Sequence, residues 1–289
     1  SGWGRSASMA ETSAAVCGPM VAAHAMKRDG LLHGPFAESL PAYAADDTVG
    51  KQIARWSLKS SISEGELQAS TVAGAKLIGQ ANTNIAVTRL LAHQSARARK
   101  AGLNILASQT TGVSNDAWLP LLDKLLAEAP TPLVLDAIKK LKSPHFDAAL
   151  QAIASDTKRP LSIRLKALDS AKSVKLTGET FDMVKNVLAD AGSSSAAKIQ
   201  AAGMLATAPM TKEQMPQIAP LLATVGPVEL KTLLPLLKRH KDVEIVKALA
   251  REIAKNPAIA SQQESAYRTV LADMPVDIFE TILHPAYDK

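Results

Sequence analysis

The sequence predicts an all-α fold made of repeated helix pairs, and three observations support this prediction. Alanine and leucine, both strong helix formers, account for 50 and 35 of the 289 residues. Only 3% of the residues are aromatic, whereas β-sandwiches and barrels are rich in aromatic and β-branched side chains. Apolar residues recur at helical spacing, and no strand-like alternation of useful length occurs. A hydrophobic content of 47% is sufficient for a core, which excludes a disordered chain.

A series of short amphipathic helices is predicted from residue 119 onward. In each segment the apolar residues lie three or four positions apart and so form one face of an α-helix. The predicted helices cover 119–126, 134–141, 145–154, 179–190, 228–238 and 242–255. Ser63 with Glu66 and Thr211 with Gln214 have the spacing of capping boxes, so each pair predicts a helix start.

The helices occur in pairs that repeat. When Lys198 is placed on Arg164, 34 residues earlier, Ala201 aligns with Ala167. Arg99 opens a similar segment 65 residues before Arg164, about two periods away. In each case a cation begins the second helix of a pair, and small residues then allow close packing on neighbouring helices. Because one pair cannot bury its own apolar face, we expect the pairs to stack.

A proline-containing motif connects these repeats to a known family. The motif occurs as Leu119-Pro120-Leu121-Leu122, Ala219-Pro220-Leu221-Leu222 and Leu234-Pro235-Leu236-Leu237. The chain resembles the HEAT-repeat family in this motif. It also resembles that family in Asp46-Asp47-Thr48-Val49 before Gln52-Ile53-Ala54, which looks like the inter-helix Asp followed by a second helix. In that family a first-helix proline often kinks the helix by removing a backbone hydrogen bond.

The HEAT resemblance implies a right-handed α-α superhelix, a solenoid of stacked antiparallel helix pairs. It covers roughly residues 46–275. We expect residues 1–45 to form an atypical N-terminal capping region, which repeat arrays need at their ends, and residues 276–289 to form a C-terminal tail.

A narrower resemblance concerns the C-terminal part. Lys241-Asp-Val-Glu-Ile-Val-Lys-Ala-Leu-Ala, Asn256-Pro257 and the segment 271–275 resemble the HEAT segment of large bacterial membrane-bound dehydrogenase-like proteins. In those proteins a propeller precedes the repeats and a cytochrome c-type haem domain follows. The resemblance implies a module of a larger redox protein in the bacterial cell envelope or periplasm. Without it, we expect a cytoplasmic protein.

The sequence carries no complete catalytic or metal-binding motif. None of the six histidines lies three or four residues from another, and Cys17 is the single cysteine. Ser155-x-x-Lys158 and Ser195-x-x-Lys198 match the serine–lysine pattern of penicillin-recognising enzymes, but the companion motifs are missing. We interpret both as chance matches at helix starts. We therefore expect no enzyme activity, no metal and no cofactor.

Basic clusters raise an alternative function. With a net charge of +6, the chain concentrates cations at 97–100, 139–142 and 238–241. Such clusters can neutralise phosphates, so a HEAT-like DNA-binding or DNA-glycosylase-type module is the alternative, with Asp116 and Trp118 as its candidates. We favour a structural role for the latter two clusters, because cations stabilise the C-terminal ends of helices. We also expect Trp118 to pack in the core.

We expect a non-catalytic scaffold or spacer that contacts a protein partner or an adjoining domain. Arg99, Arg164 and Lys198 are the candidate partner-binding residues, because they recur on second helices and would suit an acidic partner. The same cations could instead bond the Asp of a neighbouring repeat turn, as a structural ladder. We do not expect a nucleic-acid partner, and no segment approaches the roughly 20 apolar residues that span a bilayer.

Overall fold

The described residues fold entirely into helices and turns. The structure is a computed structural model, which describes residues 48–239, 242–273 and 277–287 and contains no strand within them. The all-α prediction is therefore confirmed for this part of the chain, whereas the predicted capping region 1–45 lies outside it. The chain falls into two compact units, Ser1–Phe146 and Asp147–Lys289.

In the first unit, the described helices form two layers. The α-helices are α1 Thr48–Trp56, α2 Glu64–Leu77, α3 Ala81–Ala92, α4 Ala96–Ser108, α5 Leu119–Glu128 and α6 Pro132–Leu141, with 3-10 turns at Asp116–Trp118 and Pro144–Phe146. Helix α1 packs on α3, and α3 packs on α5. Helix α2 packs on α4, and α4 packs on α6. First helices of consecutive pairs therefore contact each other, and so do second helices.

The second unit repeats this pattern. Its α-helices are α7 Asp147–Ser155, α8 Leu161–Ser170, α9 Gly178–Ala189, α10 Ser195–Thr207, α11 Met215–Leu222, α12 Pro227–Leu233, α13 Pro235–Arg239, α14 Val243–Lys255, α15 Glu264–Leu271 and α16 His284–Tyr287. A 3-10 segment covers Pro257–Ser261 and a π-helical turn covers Phe279–Leu283. One layer runs through α7, α9, α11 and α14, and the other through α8, α10, α12–α13 and α15.

The second helices begin at nearly regular intervals, and several small residues of the helices are fully buried. Their starts are 29 to 37 residues apart, which brackets the 34-residue alignment found in the sequence. Ala86, Ala167 and Ala201 are fully buried, as the predicted close packing requires. In the second unit, one continuous apolar cluster extends from α7 to α16.

The two predicted capping boxes have different outcomes in the structure. Ser63 and Glu66 form the complete capping box at the start of α2, which confirms that prediction. At Thr211 the backbone N–H donates to Gln214 Oε1 over 2.9 Å, but the helix itself begins later, at Met215. One bond of the predicted capping box therefore lies in a turn that leads into α11, and the predicted helix start at Thr211 is wrong, since Met215 lies four residues later.

Several local expectations are wrong. Pro120 does not kink α5, because it lies in the first turn, where a helix needs no N–H donor. Pro220 does lie inside α11, and Pro235 begins α13, so the predicted helix 228–238 is divided after Leu233. Ser155 ends α7 rather than starting a helix.

Two segments take a different place from the one that the sequence suggests. Helix α1 packs on α3, a first helix, although the Asp46–Ala54 segment resembles the start of a second helix. Residues 277–287 pack on α14 and α15 through buried Phe279 and Leu283, so this segment adds to the core.

Candidate functional site

The two candidate arginines occupy equivalent positions, and both donate hydrogen bonds to backbone carbonyls at the end of the preceding helix. Arg99 is the fourth residue of α4, and its Nη1 donates to the carbonyl oxygens of His93 over 2.9 Å and Gln94 over 2.7 Å. Arg164 is the fourth residue of α8, and its Nε donates to the carbonyl oxygen of Ala154 over 2.8 Å. Carbonyls at a helix C-terminus lack intrahelical partners, so each arginine joins a second helix to the end of its first helix.

Lys198 is the fourth residue of α10, and it interacts by charge with Asp190, which follows the first helix of its own pair. The pKa of Asp190, which follows α9, lies below its ordinary value, first because the backbone N–H of Gly192 donates to its carboxylate. The Ser193 hydroxyl and the charge of Lys198 lower this pKa further.

The contacts of these three cations differ from the suggested ladder. The two arginines bond carbonyls, and the aspartate near Lys198 belongs to its own helix pair rather than to a neighbouring one. Partner binding by Arg99, Arg164 and Lys198 stays a prediction.

Each arginine also borders an open depression next to the first helix of the following pair. In the first unit, the depression of about 370 Å³ lies between Arg99 and one face of α5, and its lining includes Leu121, Lys124, Leu125 and Glu128. In the second unit, the depression of about 490 Å³ lies between Arg164 and one face of α9, and its lining includes Glu179, Asp182, Met183, Val187 and Asp190. We call them the α4–α5 depression and the α8–α9 depression. The same repeat position therefore presents a surface depression in both units.

The two depressions differ in charge. In the α4–α5 depression, Arg99 and Lys124 face a single carboxylate, that of Glu128, which lies 3.9 Å from Lys124 Nζ. In the α8–α9 depression, three carboxylates accompany Arg164. Glu179 and Asp182 lie three residues apart on α9 and so share one face of that helix, and Asp190 directly follows its last residue. The α8–α9 depression is thus the acidic member of the pair.

Another set of donors, which the sequence analysis missed, connects consecutive helix pairs. Arg89 Nη1 donates to the carbonyl oxygen of Ala54, and Arg239 Nη1 donates to those of Ala206 and Ala208, both at 2.8 Å. The separations in sequence are 31 to 35 residues, close to one repeat.

Asn256 is the most deeply buried of these connecting donors. Its side chain is 2% exposed, and Nδ2 donates to the carbonyl oxygens of Leu222 over 2.7 Å and Val225 over 2.9 Å. Its Oδ1 accepts from the Ala258 N–H, so every polar group of the amide is bonded. The sequence does offer a signal for these contacts. Each donor lies in or just after the last turn of a helix, about one repeat length after the end of an earlier helix.

Trp118 and two of the three basic clusters, which suggested nucleic-acid binding, take structural positions, whereas Asp116 is exposed. Trp118 is fully buried, and its Nε1 donates to Thr88 Oγ1 over 3.0 Å, so the predicted packing role is confirmed. Lys139 and Lys140 lie in the last turn of α6, and Lys238 lies in that of α13, as expected for cations at helix ends. The cluster at 97–100 differs, because it occupies the first turns of α4.

Neither a metal-binding group nor a membrane-spanning helix occurs among the described residues. In residues 48–239, 242–273 and 277–287, no three His, Cys, Asp or Glu side chains are grouped so that they could hold a metal ion. In that same part of the chain, no helix combines the length and apolar character needed to cross a membrane. Comparisons with family models, curated proteins and solved structures find no match.

Proposed function

We propose that this chain is a non-catalytic helical-repeat scaffold or spacer that contacts a protein partner or an adjoining domain. Its helix pairs would stack as a HEAT-like, right-handed solenoid. The observation that carries the proposal is the set of hydrogen bonds across one repeat length, from Arg89, Arg239 and Asn256 to carbonyls of the preceding pair. Stacked pairs of this kind leave their outer faces available for partners.

The layered packing within each unit supports the same proposal. First helices contact first helices, and second helices contact second helices, so each pair covers the apolar face of the pair before it. The weaker family resemblance adds one form of the proposal, in which the chain is a spacer within a larger redox protein.

Small-angle X-ray scattering of the whole chain tests the proposed stacking. A compact globule of this length has a radius of gyration of about 19 Å. We expect a clearly larger value, because a solenoid extends along one axis. A value near that of the globule would contradict the solenoid.

Partner capture tests the proposed function with a built-in comparison. The intact chain is cross-linked in cell extract, a reproducibly captured protein is identified, and its binding is reconstituted from purified components. In parallel, a variant carries Arg99→Gln, Arg164→Gln and Lys198→Gln. Reduced partner affinity at unchanged thermal stability supports partner binding by these cations, whereas reduced stability with unchanged affinity assigns them to the fold alone.

Binding to DNA is the result that would overturn this proposal. Titration of labelled duplex DNA at low ionic strength should show no binding that falls steeply with added salt. A steep salt dependence would favour the alternative, a HEAT-like DNA-binding module.

A further inference from the structure

The α8–α9 depression combines an apolar floor with an unusually exposed aliphatic side chain. Leu161, at the start of α8, is 45% exposed, although it is a large hydrophobic residue. Met183 and Val187 of α9 are buried and line the same depression. An aliphatic side chain from another molecule that entered this space would contact all three, and burial of that surface would favour binding.

The rim of this depression carries exposed carboxylates, and one of them has no ion pair among the described residues. Glu179 is exposed and forms no ion pair with any residue that the structure describes. Asp182 is 59% exposed and lies 2.9 Å from Lys185 Nζ. That ammonium also donates to Gln217 Oε1 over 3.0 Å, which holds it on the side of α9 that faces α11.

The one cation in the lining is already engaged. Arg164 donates its Nε proton to the carbonyl oxygen of Ala154, so its guanidinium is fixed at the end of α7. An acidic partner at this place would meet Arg164 together with the carboxylates of Glu179, Asp182 and Asp190. Charge complementarity therefore favours a cationic partner at this depression, although the whole chain carries a net charge of +6.

We propose that the α8–α9 depression docks a basic, amphipathic segment of a protein partner. An aliphatic side chain of that segment lies on Leu161, Met183 and Val187, and an adjacent lysine or arginine faces Glu179 and Asp182. This inference rests on the proposed scaffold function and adds the chemical class of the partner. The α4–α5 depression, at the same repeat position, has the opposite charge balance and does not accept such a segment.

A methyl NMR titration of the whole chain tests this docking site. The protein carries ¹³C-labelled methionine methyls, and the Met183 signal is assigned with a Met183→Leu variant. One probe is a short helical peptide of lysine and leucine, and the second is a peptide of the same length with glutamate in place of lysine. We expect the lysine peptide to shift the Met183 signal and the glutamate peptide to leave it unchanged.

Matched variants test the charges. Each lost ion pair at an exposed site should weaken the lysine peptide about twofold to fivefold, so Glu179→Gln and Asp182→Asn each give that loss. Glu128→Gln, the corresponding change in the α4–α5 depression, should leave the affinity unchanged. Added salt should weaken binding of the lysine peptide, because exposed charges are screened.

Three outcomes would overturn the docking site. They are a Met183 signal that the lysine peptide does not shift, a Met183 signal that the glutamate peptide shifts, and an affinity that neither Glu179→Gln nor Asp182→Asn reduces. The scaffold proposal has its own readout, the reconstituted partner. If that partner binds the intact chain and its affinity is unaffected by both carboxylate variants, the docking site fails and the scaffold stands.

Discussion

We expect replacement of glycine by alanine to have opposite effects at two positions inside helices. Gly74 lies in α2, where an added Cβ would come within 2.8 Å of Cδ1 and 3.0 Å of Cγ1 of Ile105 in α4. Ile105 is fully buried, so its side chain has little room to move. At Gly203 in α10, an added Cβ would meet no atom within 4 Å.

The magnitudes follow from two competing contributions. Replacing glycine by alanine inside a helix stabilises it by about 0.5–1 kcal/mol, because the unfolded chain loses freedom. Overpacking a filled core costs about 1–3 kcal/mol. We therefore expect Gly203→Ala to raise the free energy of unfolding by about 0.5–1 kcal/mol, and Gly74→Ala to lower it by about 1–2 kcal/mol.

Urea denaturation followed by circular dichroism measures both changes. Since the chain has two compact units, the curves are first checked for a single cooperative transition, with fluorescence as a second probe. Adding Ile105→Val to Gly74→Ala should recover part of the loss, because it removes the Cδ1 atom nearest to the new methyl group. If Gly74→Ala stabilises the protein as much as Gly203→Ala does, the close packing of α2 on α4 is refuted.

Three further predictions concern buried polar groups. Asn256→Asp places a carboxylate against the carbonyl oxygens of Leu222 and Val225, and we expect urea denaturation to show a loss of about 2–4 kcal/mol. Gln109 is fully buried with neither side-chain polar atom bonded, so Gln109→Met should stabilise by about 1–3 kcal/mol in the same assay. Burial raises the pKa of Tyr267 above its ordinary value of 10.0, so stability measured against pH should fall as pH rises through that value, and Tyr267→Phe should reduce this fall.

Each of these predictions has a contradicting outcome. An Asn256→Asp variant as stable as the parent would show that the two carbonyls are not held by this amide. A destabilised Gln109→Met variant would show that the glutamine amide has partners in solution. For the tyrosine, the sign follows from the unfolded chain, which releases the phenol proton near pH 10 while the buried hydroxyl keeps it. A Tyr267→Phe variant with an unchanged decline above that pH would contradict the reasoning.

The helices and their buried faces could be predicted because their signals are local. The 3.6-residue period of Val134, Ala137, Ile138 and Leu141 fixes one face of α6, and all four residues are buried. The layer occupied by α1 could not be predicted in this way, because it depends on contact with α3. The break in the helix after Leu233 could not be predicted either, since the periodicity of the leucines continues across it.

The candidate site was only partly predictable, for a related reason. The recurring cation at Arg99, Arg164 and Lys198 is visible in the sequence as a repeat. Its carbonyl partners are not visible, because every residue carries a carbonyl and only the packing selects one. The acidic α8–α9 depression arises from the way in which α9 faces the start of α8, and so Glu179 and Asp182 are ordinary helix residues until the two helices meet.

Arg99 and Arg164 share one structural contact and differ in their surroundings, which separates two roles within the repeat. The arginine holds the second helix to the end of the first, and this requirement is the same in both units. The first helix of the following pair supplies the remaining walls. The charged residues of α5 in that lining are Lys124 and Glu128, whereas those of α9 are the carboxylates Glu179 and Asp182. On the proposed function, the second-helix arginine therefore holds its own helix pair together, while exposed residues of α5 and α9 determine which partner each depression accepts. Exchanging charges on α9 should change partner preference at little cost in stability, because exposed ion pairs contribute at most about 1 kcal/mol each.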